Sequence, residues 1–145
     1  MGLNGLKQTI YVLTARSRVD SAQMYHNEHE TGDAIKAFLG EPENKSGLKR
    51  EDIHFTSKLA SNTTYEKARK SITQSVKQSG LGYIDLFLLH SPYGGKALRL
   101  ESWKAVEDAI EAGEIKTGGV SNFGVKHVSL RLGNRLPRNY AETSA

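Results

Sequence analysis

The 145-residue sequence contains no cysteine, only three prolines and a single tryptophan. Without cysteine there are no disulfides, no thiolate nucleophile and no zinc site built on sulfur. Long hydrophobic runs are missing too. Nothing approaches the roughly 18 apolar residues of a membrane-spanning helix. The first 17 residues hold only a short apolar piece, Ile10 to Leu13, and no secretory pattern. The chain therefore reads as cytoplasmic, with no membrane partner. No long stripe of one charge occurs either. The net charge is +4, but 20 basic residues are interleaved with 16 acidic ones. Only Arg131, Arg135 and Arg138 cluster, in the C-terminal tail. A nucleic-acid partner is not expected, and the basic balance suits an anionic cofactor. Asn-x-Ser/Thr triplets at Asn44 and Asn62 read as chance in a chain with no signal peptide.

What is present is a regular alternation. Ile84-Asp-Leu-Phe-Leu-Leu89 is almost continuously apolar, as in a strand buried on both faces of a parallel sheet. It stops at His90, just before Pro92. A short strand around Arg18 to Ala22 ends at Asp20, another over Ile53 to Lys58 ends at Lys58, and a further one over Ile115 to Val120 ends at Ser121 and Asn122. Helical spacing separates them. Ala34, Ile35, Phe38 and Leu39 mark a helix from about Asn27 to Leu39, with Glu28 and Glu30 suited to its positive end. Thr63 and Glu66 fit a capping box before Ala68, Ile72 and Val76, and Gly80 stands where that helix stops. Trp103, Val106 and Ile110 mark a third helix, stopped by Gly113. One more is expected to start between Gly124 and Leu132.

This is βαβαβαβ. Between Asp20, Lys58, His90 and Ser121 the spacings are 38, 32 and 31 residues. An eight-fold barrel of about 250 residues has about 31 per unit. Open doubly wound sheets give a similar rhythm, so spacing alone leaves both open. The dinucleotide fingerprint Gly-x-Gly-x-x-Gly is absent, and Gly94-Gly95-Lys96-Ala97 lacks the pattern of a phosphate loop.

In either sheet, side chains at the carboxyl ends of parallel strands converge on one face, where ligands bind. Asp20, Tyr25, Lys58 and His90 make a chemically coherent set there. A phenol is a poor acid near neutrality, with an ordinary pKa of about 10. A neighbouring ammonium stabilises the phenolate. A carboxylate keeps that ammonium charged and in place, and a histidine can hydrogen-bond a carbonyl oxygen. Such a set can protonate a carbonyl that is being reduced.

Four segments carry a family resemblance: Asp20-Ser-Ala-Gln-Met-Tyr25-His-Asn-Glu28, Thr56-Ser-Lys58, Leu88-Leu-His90-Ser-Pro92 and Gly119-Val-Ser-Asn-Phe123-Gly. In this order they resemble the aldo-keto reductases, over about Arg18 to Val128, and fungal or yeast-type members more than potassium-channel β subunits. The resemblance implies an α/β fold of the (β/α)8 TIM-barrel kind, of which this chain carries roughly strands two to five. It implies NADP(H)-dependent reduction of small aldehydes or ketones. Tyr25 becomes the proton donor, Lys58 and Asp20 tune it, and His90 orients the carbonyl. Ser121 and Asn122 match residues that hold the nicotinamide carboxamide, and Asp20 borders the same cofactor site.

Residues 1–17 and the basic tail 129–145 have no counterpart in this resemblance. The family's remaining cofactor-binding segments are unmatched as well. The expectation is of a truncated barrel, weakly active or inactive alone, that self-associates through exposed sheet edges. A non-catalytic remnant acting through a partner is the alternative. His26 and His29, three apart, raise metal-dependent hydrolysis as a minor third reading. The specificity loops are among the unmatched parts, so the substrate stays open.

Overall fold

Parallel strands form the centre of the computed structural model, which describes residues 18–40, 42, 44–45, 47–124 and 142–143. The strands are β1 (Arg18–Asp20), β2 (His54–Leu59), β3 (Ile84–Leu89), β4 (Ile115–Ser121) and β5 (Glu142–Thr143), hydrogen-bonded in that order. Three helices cross between the first four: α1 (Glu28–Gly40), α2 (Tyr65–Ser79) and α3 (Gly95–Glu111). Parallel neighbours need such crossovers, and the helices then bury the sheet.

Every residue of β3 is buried. Phe87 and Leu89 join the core under the helices, with Ile35 and Phe38 of α1, Ile72 of α2 and Trp103 and Val106 of α3. Leu86 and Leu88 are buried outside that cluster, so the strand is covered on both faces as its apolar run predicts.

Two glycines allow the helices to come this close. A Cβ on Gly32 of α1 would stand 1.8 Å from the Ser79 carbonyl oxygen at the end of α2. A Cβ on Gly118 of β4 would stand 2.6 Å from Val106 of α3. Gly80 ends α2 with φ of 62°, a left-handed value that costs glycine little.

The proposed capping box at the start of α2 does not form. Thr64, one residue later, is the N-cap, and its side chain makes no cap bond. Carboxylate and hydroxyl from α3 do the work instead: Glu101 accepts from Tyr65 N–H at 3.0 Å, and Ser102 from Thr63 N–H at 2.9 Å. A tertiary partner has displaced a local one.

An ion cluster closes the opposite end of the sheet. Asp85 of β3 is buried, accepts from Phe55 N–H at 3.0 Å and pairs with Arg50 at 2.8 Å. Arg50 also donates to the carbonyls of Ile53 and Tyr83, and its guanidinium lies 4.0 Å from the Tyr83 ring centroid. Lys116 covers that ring at 4.0 Å as well. In barrel folds this amino-terminal end serves stability.

The helix expected to begin after Gly124 lies outside the described residues, apart from Gly124 itself. So do the tail arginines and residues 1–17. Within the tail, β5 pairs parallel to β4, Val120 with Glu142 and Ser121 with Thr143.

Candidate functional site

The strand register sets the site. Asp20 pairs with Thr56, so Lys58 stands two residues further along β2. Lys58 pairs with Leu88, so His90 stands two residues further beyond β3. Leu89 pairs with Val120, bringing Ser121 and Asn122 alongside His90. Four strand ends thus open onto one face.

β1 is three residues long, and only Val19 of them is buried. The chain continues through Ser21 and Ala22, both fully buried, with Ser21 N–H donating to Thr56 O at 2.8 Å. A 3-10 turn over Gln23–Tyr25 follows. His26 ends it in the left-handed region, φ 52°, a conformation in which histidine is enriched among non-glycine residues. The turn lifts Tyr25 off the sheet, leaving it 51% exposed.

Lys58 is 7% exposed. A buried ammonium is costly unless paired. Here it donates to the Asp20 carboxylate and, at 3.0 Å, to the Ser21 carbonyl. Asp20 itself is largely solvated. The Lys58 Nζ lies 5.3 Å from the Tyr25 ring centroid, within cation–π range. The Tyr25 and His90 rings meet edge to face, centroids 6.1 Å apart at 86°.

Burial pushes the His90 pKa below its ordinary value, and the Lys58 charge adds to this against the opposing pull of Asp20. His90 is therefore neutral at neutral pH. Its Nδ1 is buried with no hydrogen-bond partner among the described residues. Asn122, at φ 60°, donates from Nδ2 to the His90 carbonyl at 3.0 Å and to Ser121 Oγ at 3.2 Å. It ties the ends of β3 and β4 together. A cavity of about 520 Å³ opens beside these groups, with Met24, Asn62, His90, Tyr93 and Asn122 in its wall.

The depressed His90 pKa carries a pH dependence. As pH falls below the ordinary histidine value, the unfolded chain takes up a proton before the folded one does. Stability is full above that value and declines below it, until folded His90 titrates. In urea unfolding, His90→Gln is expected to lose less stability than wild type between about pH 7.5 and 5.5. Equal losses in both proteins would refute the burial argument.

The predicted residues Asp20, Tyr25, Lys58 and His90 are thus together, and Ser121 and Asn122 border them. His26 and His29 are not part of this group. Both are exposed, and His29 lies 3.3 Å from the Gln78 carbonyl and 3.4 Å from Asp33. Among the described residues no cluster of three or more His, Asp or Glu side chains could hold a metal ion.

Sequence reading assigned Glu28 to the helix dipole and to the family-like segment that begins at Asp20, and missed its larger part. Its carboxylate is buried and accepts from Ser57 and Ser75 hydroxyls. Gln23 was missed as well, since its partners are about 37 and 52 residues away in sequence. Nothing local could have revealed either.

Fold and site together define part of a parallel α/β barrel with a polar cluster at its strand ends. A family description, the aldo/keto reductase family, matches residues 15–135. An uncharacterised oxidoreductase of Schizosaccharomyces pombe is 56% identical over 110 residues, covering 76% of this chain and 38% of that protein. An aldo/keto reductase structure from Brucella melitensis superposes with a TM-score of 0.76 at 34% identity, over 88% of this chain and 47% of the other. A Bombyx mori aldo-keto reductase solved in complex with NADP gives a TM-score of 0.79 at 26% identity, over 92% of this chain and 45% of the other.

The chain belongs to the aldo/keto reductase family. It folds as part of the family's (β/α)8 barrel and spans less than half the length of these relatives. No helix among the described residues is long and apolar enough to cross a membrane.

Proposed function

We propose that the site is that of an NADP(H)-dependent reductase of small aldehydes or ketones, with Tyr25 as its proton donor. One observation carries the reading: a buried ammonium, held by a carboxylate, lies against a half-exposed phenol that meets a neutral histidine edge to face. A carbonyl oxygen between Tyr25 and His90 would accept from the phenol and the imidazole. As charge develops on that oxygen, the phenol proton moves to it, and the Lys58 charge stabilises the phenolate left behind. Asp20 keeps Lys58 aimed without neutralising it.

Bound NADPH would supply the hydride. The residues beside the cavity fit its carboxamide, which carries both donors and an acceptor. Asn122 has its Nδ2 committed to His90 and Ser121, which leaves its Oδ1 to accept. The Ser121 hydroxyl, next to it, can donate. The NADP complex of the silkworm relative supports this choice of cofactor. The low exposure of Lys58 excludes water from the ammonium and strengthens its field at the phenol.

The test is product formation. The purified chain is incubated with NADPH and a reactive aromatic aldehyde, and alcohol is measured by chromatography against NADPH consumed. The expected result is slow formation of alcohol, equimolar with oxidised cofactor, as for a chain that spans less than half the length of its relatives. NADPH loss without alcohol, or neither, from a cooperatively folding sample would overturn the reading.

A further inference from the structure

Tyr25 occupies an exposed 3-10 turn, yet its ring centroid lies 5.3 Å from Lys58 Nζ and 6.1 Å from that of His90. The phenol is not itself what anchors the turn. Gln23, at its first position, ties the turn to two other elements. Its Oε1 accepts from Ala60 N–H at 2.9 Å, just past the end of β2. Its Nε2 donates to Ser75 Oγ at 2.8 Å and to the Ser71 carbonyl at 3.3 Å, both on α2. The partners fix the amide orientation, since Ala60 N–H can only donate and the Ser71 carbonyl can only accept.

The bridge continues. Ser75 Oγ donates to one oxygen of buried Glu28 at 3.1 Å, and Ser57 Oγ donates to the other. Ser57 precedes Lys58 on β2, and Ala60 lies two residues beyond it, just past the strand end. The same bonds that hold the turn therefore hold the strand end bearing the ammonium. On the other side of the turn, Ser21 Oγ donates to Asn27 Oδ1 at 2.7 Å.

We infer that Gln23 is a positioning residue: it holds the Gln23–Tyr25 turn so that the Tyr25 ring stays against Lys58 and His90. A lone exposed turn would sample many orientations. The three hydrogen bonds of the Gln23 amide bias it toward one of them.

This inference rests on the reductase reading for its consequence, but its first test does not. The edge-to-face contact puts His90 ring protons in the ring current of Tyr25, so their NMR shifts report where the phenol lies. Tyr25→Leu gives the reference shift with no ring. Gln23→Met keeps the length of the side chain and removes both hydrogen-bonding ends. The expected result is that Gln23→Met moves the His90 signals at least halfway toward their Tyr25→Leu positions, while His54 signals stay in place.

Unmoved His90 signals in Gln23→Met, with Tyr25→Leu displaced, would overturn the inference. So would a Tyr25→Leu variant that leaves His90 unchanged. If Gln23→Met does not fold, Ser75→Ala removes one arm of the bridge. It should displace His90 in the same direction, and no displacement overturns the inference. In turnover, Gln23→Met is expected to lower kcat about tenfold with KM for NADPH unchanged. A wild-type chain without turnover counts against the reductase reading alone, because the NMR contrast stands apart from it.

Discussion

Lys58→Met is expected to lower kcat for aldehyde reduction by about 10²–10⁴-fold, the range for losing effective general acid catalysis. The phenol would remain in place, but the charge that stabilises its conjugate base would be gone. Stability should fall by no more than about 1–3 kcal/mol, the cost of leaving the buried Ser21 carbonyl without its donor. Lys58 is buried, and methionine has similar length with no charge to desolvate. Asp20 loses its partner but is 59% exposed at its side chain, so water replaces the ammonium. Both quantities can be measured on one preparation, kcat with NADPH and an aromatic aldehyde, stability by urea midpoint. Unchanged kcat in the folded variant would remove Lys58 from the chemistry. Collapse of the fold would mean that the pair with Asp20 is structural.

Gly32→Ala should be the most damaging single-methyl change described. In an exposed helix interior, Gly to Ala gains about 1 kcal/mol from propensity. Here the new Cβ would meet the Ser79 carbonyl oxygen at 1.8 Å, its carbon at 2.6 Å and its Cα at 2.9 Å. Those are backbone atoms at the end of α2 and have no rotamer to yield. Overpacking typically costs about 1–3 kcal/mol and sometimes more, so the clash outweighs the propensity gain. α1 must move away from α2, and the Glu28–Ser75 bond lies in the same seam. Gly40→Ala is the control, because a Cβ there meets nothing within 4 Å. Urea midpoints should fall clearly for Gly32→Ala and stay within about 0.5 kcal/mol of wild type for Gly40→Ala. Equal midpoints would contradict the observed helix contact.

How far the sequence reveals this molecule depends on where the determining partner lies. β3 is legible because burial on both faces leaves no polar position between Leu86 and Leu89, and the first polar residue after the run, His90, marks the strand end. Asp20, Lys58 and Ser121 close strands that already contain polar residues, so the pattern marks them less sharply, and β2 runs one residue past Lys58 to Leu59. Asp85 is the exception within β3. Its partner Arg50 precedes β2, and only the parallel pairing brings them together. Thr63 and Glu66 make a sound local cap on paper, yet Glu101 and Ser102 arrive from α3 and take its place. Gly32 reads as a mild helix weakness, and its purpose appears only when α2 is set against α1. Gln23 and Glu28 stand inside a recognisable motif, but their contacts run across loops to α2 and β2. Strand ends can be read from hydrophobic pattern. The bonds that aim their side chains cannot, because they join residues far apart in the chain.

The central claim is that Asp20, Tyr25, Lys58 and His90 act as one proton-donating site. NADPH oxidation by the purified chain with a reactive aromatic aldehyde, run beside Tyr25→Phe at equal folded concentration, tests it most directly. The account predicts slow turnover in the wild-type chain and its loss by about 10²-fold or more in the variant, which keeps the ring and removes only the hydroxyl. Equal turnover in the two would contradict it, because the carbonyl would then be receiving its proton from somewhere else.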